Sequence, residues 1–223
     1  MAMPTPEQRR SFDDNGFLLV SGLIPEGVPA AARAALWKAV GADPGTCATW
    51  PERTVALGCD DPAVTGCFTN SMAEFVDVLS GEAAAGWTPP DAGFAIIAFP
   101  VPGPWTPQPP HIDHALPAHG HRVFPRPMRL ASLLYLNDVA PCSGGTVVWP
   151  GSHKAILALA ESDPERFALM TPLDVALRAE LSLGEGIEVG GKEGDVLFYH
   201  YLTAHSGSSN AGGDPRFALA YKW

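Results

Sequence analysis

The sequence predicts a mainly β fold with flanking helices, of the barrel or sandwich kind. Five strand-like segments in the second half of the chain are separated by turn residues: 94–100, 129–138, 144–151, 186–205 and 216–223. Short strands divided by turns are typical of antiparallel barrels and sandwiches. The helical patterns lie mainly in the first half, so we expect the helices to pack on the outside of one sheet.

The first forty residues predict the order helix, strand, helix. TPEQRRSFDDNG predicts a short capped helix that ends at Asn15-Gly16, and FLLVSGLI (17–24) predicts a buried strand. PEGVPAAARAALWKAVGA predicts a helix closed by Gly41, because alanine and leucine favour helix and glycine favours its end. Residues 42–70 give a weak signal, and residues 71–82 predict another helix closed by glycine.

A single helix is expected to interrupt the strands of the second half. The segment SHKAILALAESDPERFAL, residues 152–169, has a helical composition, and Ser152 is its expected N-cap. No stretch reads as a linker between domains, and 223 residues can form one substantial core. The sequence therefore predicts a single domain over residues 1–223.

Composition and charge narrow the function classes. Hydrophobic residues make up 46% of the chain and charged residues 17%, which is ordinary for a globular protein. The net charge of −10 repels a phosphate backbone, so we expect no nucleic-acid partner. No apolar run is long enough for a bilayer, and the N-terminus lacks the apolar core of a signal peptide, so we expect a cytoplasmic protein with no membrane partner. The cysteines form no CxxC pair and are expected to be reduced thiols.

Histidines cluster in PQPPHIDHALPAHGHRVFPRP, residues 107–127, which holds four of the seven in the chain. The cluster could be a metal site, a pH-sensitive loop or a polar linker. In extended backbone, side chains at i and i+2 share a face, so His111 and Asp113 would present an imidazole and a carboxylate to one point. A histidine from a distant strand would complete a set of two histidines and one carboxylate, which leaves open coordination positions and suits non-haem Fe(II).

The second histidine is best sought in the strand-like segment GDVLFYHYLTAH. His205 ends this segment before a polar turn, at a place where a ligand at the mouth of a barrel would lie. His200 is the competing candidate, but it has the opposite strand parity and lies between two tyrosines, so we expect it to be structural. Four aromatic residues are also expected in the core: Tyr135, Trp149, Tyr199 and Tyr201.

An arginine that follows His205 in the sequence is a candidate ligand-binding residue. Arg216 lies eleven residues later and opens the strand RFALAYKW, where alternation places it on one face with Ala218 and Ala220. Small alanines beside an arginine indicate space for a ligand. A buried guanidinium needs a partner, best a carboxylate held by two parallel hydrogen bonds, and a dicarboxylate cosubstrate would supply one.

Four segments, taken together and in order, carry a family resemblance: FDDNGFLLVSGLI, HID, LASLLYLNDVAPCSGGTVVWPGSHK and GDVLFYHYLTAHSGSSNAGGDPRFALAYKW. In them the chain resembles the phytanoyl-CoA dioxygenase family of Fe(II)/2-oxoglutarate oxygenases, with residues 42–92 matching least. The resemblance implies a double-stranded β-helix, also called a jelly roll or cupin-like fold, with the N-terminal helices outside the major sheet.

The resemblance also implies cofactors and roles. It implies Fe(II) with 2-oxoglutarate as cosubstrate, assigns the metal to His111, Asp113 and His205, and assigns the C5 carboxylate of 2-oxoglutarate to Arg216. The implied reaction uses O2 to hydroxylate a small molecule and releases succinate and CO2. Because Asp113 fills a position that halogenases of this class leave to chloride, hydroxylation is favoured over halogenation. The alternatives are a non-catalytic metal-binding jelly-roll module and a metalloenzyme that does not use 2-oxoglutarate.

The chain departs from the family pattern beside His205. The family often has a serine two residues after the distal histidine, where it helps to hold the same carboxylate. That position is Gly207 here, and either flanking serine, Ser206 or Ser208, is a candidate substitute through a shifted turn. The sequence leaves open the substrate, the oligomeric state, desaturation or cyclisation as the outcome, and the roles of His114, His119, His121 and Arg129.

Overall fold

The computed structural model of the chain describes residues 3–83, 86–113 and 120–223. Its helices are α1 (Pro6–Asn15), α2 (Val28–Val40), α3 (Pro62–Thr65), α4 (Asn70–Ser80), α5 (Ser152–Ser162) and α6 (Met170–Glu180), with a short 3-10 turn at Cys47–Thr49. Its strands are β1 (Phe17–Val20), β2 (Thr54–Cys59), β3 (Gly93–Ala98), β4 (Ala131–Tyr135), β5 (Thr146–Val148), β6 (Ile187–Val189), β7 (Val196–Tyr199), β8 (His205–Ser206) and β9 (Arg216–Lys222).

The strands form two sheets. The major sheet has the order β1-β7-β4-β9-β3-β2, the minor sheet has the order β6-β5-β8, and every strand pair within them is antiparallel. Side chains of both sheets, such as Leu133, Val147 and Leu197, meet in one buried cluster. The predicted mainly β jelly roll is therefore the observed fold.

Helices cover the outer face of the major sheet, as the sequence predicts. A second buried cluster joins Leu36 of α2 and Phe75 of α4 to Phe198 and Phe217 of the sheet. The rings of Phe75 and Phe198 stack with centroids 5.3 Å apart. This cluster supports the sheet from behind and leaves its inner face to line a cavity.

Helix α1 begins and ends as its sequence predicts. Thr5 and Gln8 form a reciprocal capping box at the start, which satisfies two backbone N–H groups. Gly16 ends the helix in the left-handed conformation, with φ of 78°, and its N–H donates to Phe12 O at 2.7 Å. A side chain at this glycine would collide with His153 and Thr203, so the position needs glycine for two reasons.

The prediction of a single helix over residues 152–169 is wrong. Helix α5 stops at Ser162, because Asp163 precedes a proline and adopts φ of −149°, outside the helical region. Helix α6 follows and was not predicted. Ser152 is not the N-cap, which is Gly151; its hydroxyl instead accepts a hydrogen bond from Ala204 N at 2.9 Å.

Two strand boundaries also differ from the sequence-based expectation. Residues 186–205 do not form one strand but three: β6, β7 and β8, with His205 in the minor sheet. The strand expected over 17–24 ends at Val20. The weak segment 42–70 contains β2, whose alternating exposed and half-buried residues reflect its place at the edge of the major sheet.

Candidate metal centre

His111 and His205 lie opposite each other on adjacent backbones. They form an antiparallel bridge in which each N–H donates to the carbonyl of the other residue at 2.9 Å. Because directly opposed residues present their side chains to the same face, the two imidazole rings meet with centroids 4.5 Å apart. Backbone hydrogen bonds, rather than loop packing, thus set the separation of the two rings.

Asp113 joins this pair from two residues further along the chain. The segment around His111 is a bridge rather than a regular strand, yet the expected alternation holds, because the intervening Ile112 is fully buried on the other side. The ligand atoms of His111, Asp113 and His205 all lie within 4.8 Å of one another. Two imidazole nitrogens and a carboxylate oxygen at this spacing could hold one divalent metal ion.

His205 is oriented by a backbone carbonyl. Its Nδ1 lies 2.9 Å from Thr203 O, and because a carbonyl only accepts, Nδ1 carries the proton. In the neutral imidazole the lone pair is then on Nε2, which lies 3.7 Å from Asp113 Oδ1 and faces the donor cluster. In metal-binding histidines generally, a hydrogen bond made by the nitrogen that does not bind the metal fixes the tautomer.

Two of the three residues, His111 and Asp113, favour the charge state that a bound cation requires, whereas at His205 a proton competes with the cation. Burial, reinforced by the neighbouring His205, lowers the pKa of His111 to about 4, so its imidazole is neutral at pH 7. Burial opposes charge on Asp113, but the contact with His205 and the nearby Lys222 outweigh it and lower the pKa of this carboxyl. The same contact with Asp113 outweighs burial at His205 and raises its pKa.

Tyr199 contacts two members of the cluster. Its ring packs on His205 with centroids 4.6 Å apart, and its hydroxyl lies 3.4 Å from Asp113 Oδ2. The sequence predicted Tyr199 as a core residue, and it is buried, but the core location also brings it to the site. No local sequence signal marks this role, because β7 and the HID segment are distant along the chain.

Helix α6 holds the HID segment from behind. Asp174 accepts a hydrogen bond from Ile112 N at 2.9 Å and pairs with Arg178 at 2.8 Å. Arg178 in turn donates to Pro110 O at 3.1 Å. Sequence reasoning missed both residues, since the helix that carries them was not predicted.

A cavity of about 630 Å³ opens in front of the triad, between the two sheets. Its walls include Ile96, Leu133 and Ala220 from the major sheet, and Gln108 lies along one side. Trp105, three residues earlier, is not part of this lining and donates to Glu188 Oε1 at 3.0 Å. All three residues of the triad line the cavity, so a metal there would face the space available to a small molecule.

Arg216 lines the same cavity and is almost fully buried, with 4% exposure. Its Nε donates to Gly144 O at 2.8 Å and one terminal nitrogen donates to Ile96 O at 3.2 Å. Across the described ranges 3–83, 86–113 and 120–223, Arg216 has no salt bridge. Burial lowers the pKa of this guanidinium, and a bound carboxylate would offset that cost.

The two candidate serines differ in their surroundings. Ser208 donates to Gly145 O at 2.8 Å, whereas the buried hydroxyl of Ser206 has no hydrogen-bond partner in the part of the chain that the structure describes. Both residues line the cavity. At Gly207 a Cβ would meet the amide of Gln108 at 3.8 Å, an ordinary van der Waals distance, so the surroundings of this glycine do not exclude a Cβ.

The remaining histidines and Arg129 lie apart from the triad or outside the described residues. His114 and His119 are outside the described residues. His121 is exposed, and its carbonyl accepts from Met170 N at 2.8 Å. His200 packs on His153 with centroids 5.2 Å apart and lies outside the group formed by His111, Asp113 and His205. Arg129 pairs with Asp77 of helix α4.

A comparison with protein families identifies this arrangement. The model for phytanoyl-CoA dioxygenase (PhyH) matches residues 12–218. The chain belongs to the PhyH family. Members of this family are Fe(II)- and 2-oxoglutarate-dependent oxygenases, and this PhyH protein is an enzyme of that class whose cofactors are iron and 2-oxoglutarate. A search of curated proteins finds no match to the chain.

Solved structures share the fold of this PhyH protein at low identity. The non-heme alpha-ketoglutarate-dependent carbocyclase SnoK from nogalamycin biosynthesis is 17% identical, with a TM-score of 0.64 over 98% of this chain and 83% of that one. The epimerase SnoN, in complex with Fe3+, alpha ketoglutarate and nogalamycin RO, is 17% identical, with a TM-score of 0.62 over 96% and 80%. EctD from S. alaskensis, with 2-oxoglutarate and 5-hydroxyectoine, is 15% identical, with a TM-score of 0.59 over 99% and 77%.

Proposed function

We propose that this PhyH protein hydroxylates a small-molecule substrate and that His111, Asp113 and His205 hold its Fe(II). The observation that carries the assignment is the donor set itself: two neutral-capable imidazoles and one carboxylate with ligand atoms within 4.8 Å, at the wall of a cavity. Three protein donors leave coordination positions for the cosubstrate and O2.

Each donor is supported by a second residue. The Thr203 carbonyl keeps the proton of His205 on Nδ1, and Tyr199 lies against the far oxygen of Asp113. Asp174 holds the backbone between His111 and Asp113. These contacts orient the donors before a metal binds, which reduces the free-energy cost of binding.

Arg216 and Ser206 are proposed to bind the C5 carboxylate of 2-oxoglutarate. Arg216 is a buried cation on the cavity wall, and Ser206 offers a buried hydroxyl on the same wall. A carboxylate can accept two hydrogen bonds from the guanidinium and a third from a hydroxyl. Ser208 contributes less in this proposal, because its hydroxyl proton is already donated to Gly145 O.

Iron and 2-oxoglutarate, when bound, supply O2 activation coupled to decarboxylation, so that one oxygen atom enters succinate and the other enters the substrate. The residues of the chain keep the donors in place and surround the substrate. Ile96, Leu133 and Ala220 form an apolar wall that excludes water from the reacting position. Asp113 occupies the third donor position with a carboxylate, which favours hydroxylation over halogenation.

The test is an anaerobic titration of metal-free protein, first with Fe(II) and then with 2-oxoglutarate, monitored for the weak visible metal-to-ligand charge-transfer band. We expect a band in the wild type that requires both additions, and no band in His205→Ala. Arg216→Lys, which keeps the charge, should form the band at a higher 2-oxoglutarate concentration. Folded wild-type protein that binds iron but shows no band with 2-oxoglutarate would favour a binding module or a metalloenzyme that does not use 2-oxoglutarate.

Three broader expectations belong to this proposal. We propose that residues 1–223 act as one domain and that small molecules and O2, rather than nucleic acid or membrane, are its partners. Among the described residues, no helix is long and apolar enough to cross a membrane. The cytoplasmic location stays a prediction from the sequence.

A further inference from the structure

Strand β9 carries a cation at each end of one face. Arg216, Ala218, Ala220 and Lys222 alternate along the same side of the strand, and Arg216 and Lys222 both line the main cavity. They are six positions apart, so their Cα atoms are about 20 Å apart along the strand. The small alanines between them leave space in front of the strand.

The two cations lie at different parts of the cavity. Lys222 Nζ lies 3.8 Å from Asp113 Oδ2, so the ammonium lies beside the triad. The register explains this contact: Ala131 of β4 pairs with Lys222 on one side and with Tyr199 on the other, and both long side chains reach past the small alanine to Asp113. Arg216 lies at the other end of the strand, where we propose that it holds 2-oxoglutarate.

The wall next to Lys222 is apolar. Ala220 pairs with Phe94 of β3 and with Leu133 of β4, and all three line the cavity. Phe94 is 50% exposed, which is unusual for a phenylalanine and places its ring at the open side of this wall. A ligand beside the triad would therefore meet carbon surface on one side and the ammonium of Lys222 at its end.

We propose that Lys222 binds an anionic group of the substrate, and that the substrate is an apolar-bodied molecule with a carboxylate or a similar anion. This inference rests on the proposed function. An ammonium has three donors, so it can contact Asp113 and a substrate anion together. Lys222 and Asp113, 3.8 Å apart at their nearest charged atoms, line the same cavity, so a substrate anion in that cavity would face the ammonium.

The experiment compares three probes with the same six-carbon chain: hexanoate, 1-hexanol and hexylamine. Binding is measured by anaerobic calorimetry on protein loaded with Fe(II) and saturated with 2-oxoglutarate, so that Arg216 is not available to the probe. We expect hexanoate to bind about 10-fold more tightly than hexanol, as for a charge-assisted hydrogen bond, and hexylamine to bind most weakly.

Two variants and a control locate the effect. Lys222→Met keeps much of the side-chain length and should abolish the preference for hexanoate, whereas Lys222→Arg should keep it. Lys154→Met removes a lysine that pairs with Asp14 on the surface and should leave the preference unchanged. Wild-type protein that binds hexanoate no better than hexanol, including no detectable binding of either, would overturn the proposal. So would an unchanged preference in Lys222→Met.

The charge-transfer band separates this inference from the proposed function. Absence of the band in wild-type protein would refute the use of 2-oxoglutarate and, because this inference rests on that function, would overturn the inference with it. A normal band in the wild type, in Lys222→Met and in Lys222→Arg shows that metal and cosubstrate bind. Under that condition the probe preferences report on Lys222 alone.

Discussion

Two pairs of neighbouring imidazoles lie in this protein, and they differ in what surrounds them. The rings of His111 and His205 are 4.5 Å apart, and those of His153 and His200 are 5.2 Å apart. The first pair has Asp113 beside it and a cavity in front. Within the described ranges, no carboxylate completes the second pair into a three-donor group.

In the second pair, one ring nitrogen of each histidine contacts a backbone group. His153 Nε2 lies 3.2 Å from Asp13 O at the end of α1, and His200 Nδ1 accepts from Leu202 N at 3.2 Å. Burial lowers the pKa of His200 to about 3, and it also lowers that of His153. Two close imidazoles therefore do not make a metal site by themselves; a carboxylate and an accessible space distinguish the first pair.

The largest expected effect comes from removing a histidine of the first pair. The same change in the second pair serves as its control. His205→Ala should weaken Fe(II) binding by more than about 100-fold, because loss of a ligand exceeds the cost of losing a residue that only supports one. His200→Ala should leave Fe(II) affinity within about threefold. Anaerobic Fe(II) titration measures both, with circular dichroism as the control for folding. The reverse order would show that the distal ligand is His200.

Asp113→Asn removes the carboxylate from beside the first histidine pair and so makes that pair resemble the second, which has none among the described residues. The amide keeps the size of the side chain but removes its charge, so we expect Fe(II) affinity to fall at least about 10-fold while the imidazoles stay in place. Equilibrium Fe(II) binding at pH 7.5 is the measurement. Unchanged affinity would mean that the two histidines suffice and that the carboxylate does not distinguish the pairs.

Tyr199→Phe tests the residue that links the ring of His205 to the carboxylate of Asp113. Removal of the hydroxyl deletes the 3.4 Å contact with Asp113 Oδ2 but keeps the ring packing. We expect Fe(II) affinity to fall roughly 10-fold, as for other residues that orient a ligand. Tyr201→Phe is the matched control. Equal affinities in the two variants would restrict Tyr199 to a packing role.

The smallest effect concerns the second pair and acidic pH. The folded pKa of His200, about 3, lies below the unfolded value near 6.5, so the unfolded chain binds the extra proton between these values and stability falls as the pH is lowered. Between pH 7 and 5, metal-free wild type should lose roughly 1–2 kcal/mol more than His200→Gln, whose side chain does not titrate.

Urea unfolding of both proteins at each pH checks this prediction. Chelator is present throughout, so that metal binding to the first pair does not contribute. His111 also has a lowered pKa, but it is unchanged in the variant, and its contribution cancels in the difference. Equal losses in the two proteins would show that His200 takes up no proton on unfolding in this range.

Much of the secondary structure follows from local sequence. Helix α1 is bounded by a capping box and by a left-handed glycine, both of which act within a few residues. The failure at residues 152–169 has a local cause as well, because Asp163 before a proline ends α5. Strand β2 escaped prediction because an edge strand with one half-buried face has only weak hydrophobic alternation.

Local sequence is enough to predict that His111 and Asp113 share one face and that Arg216 lies on the face of β9 that carries Ala218 and Ala220. Both follow from the alternation of side chains in extended backbone, which depends only on adjacent residues. The other features of the site depend on how distant segments pair. Pairing of His111 with His205 across two distant segments, and the row of Lys222, Ala131 and Tyr199 across three strands, depend on register between strands. Register is set by the packing of the whole sheet, and so no single segment of the chain contains it.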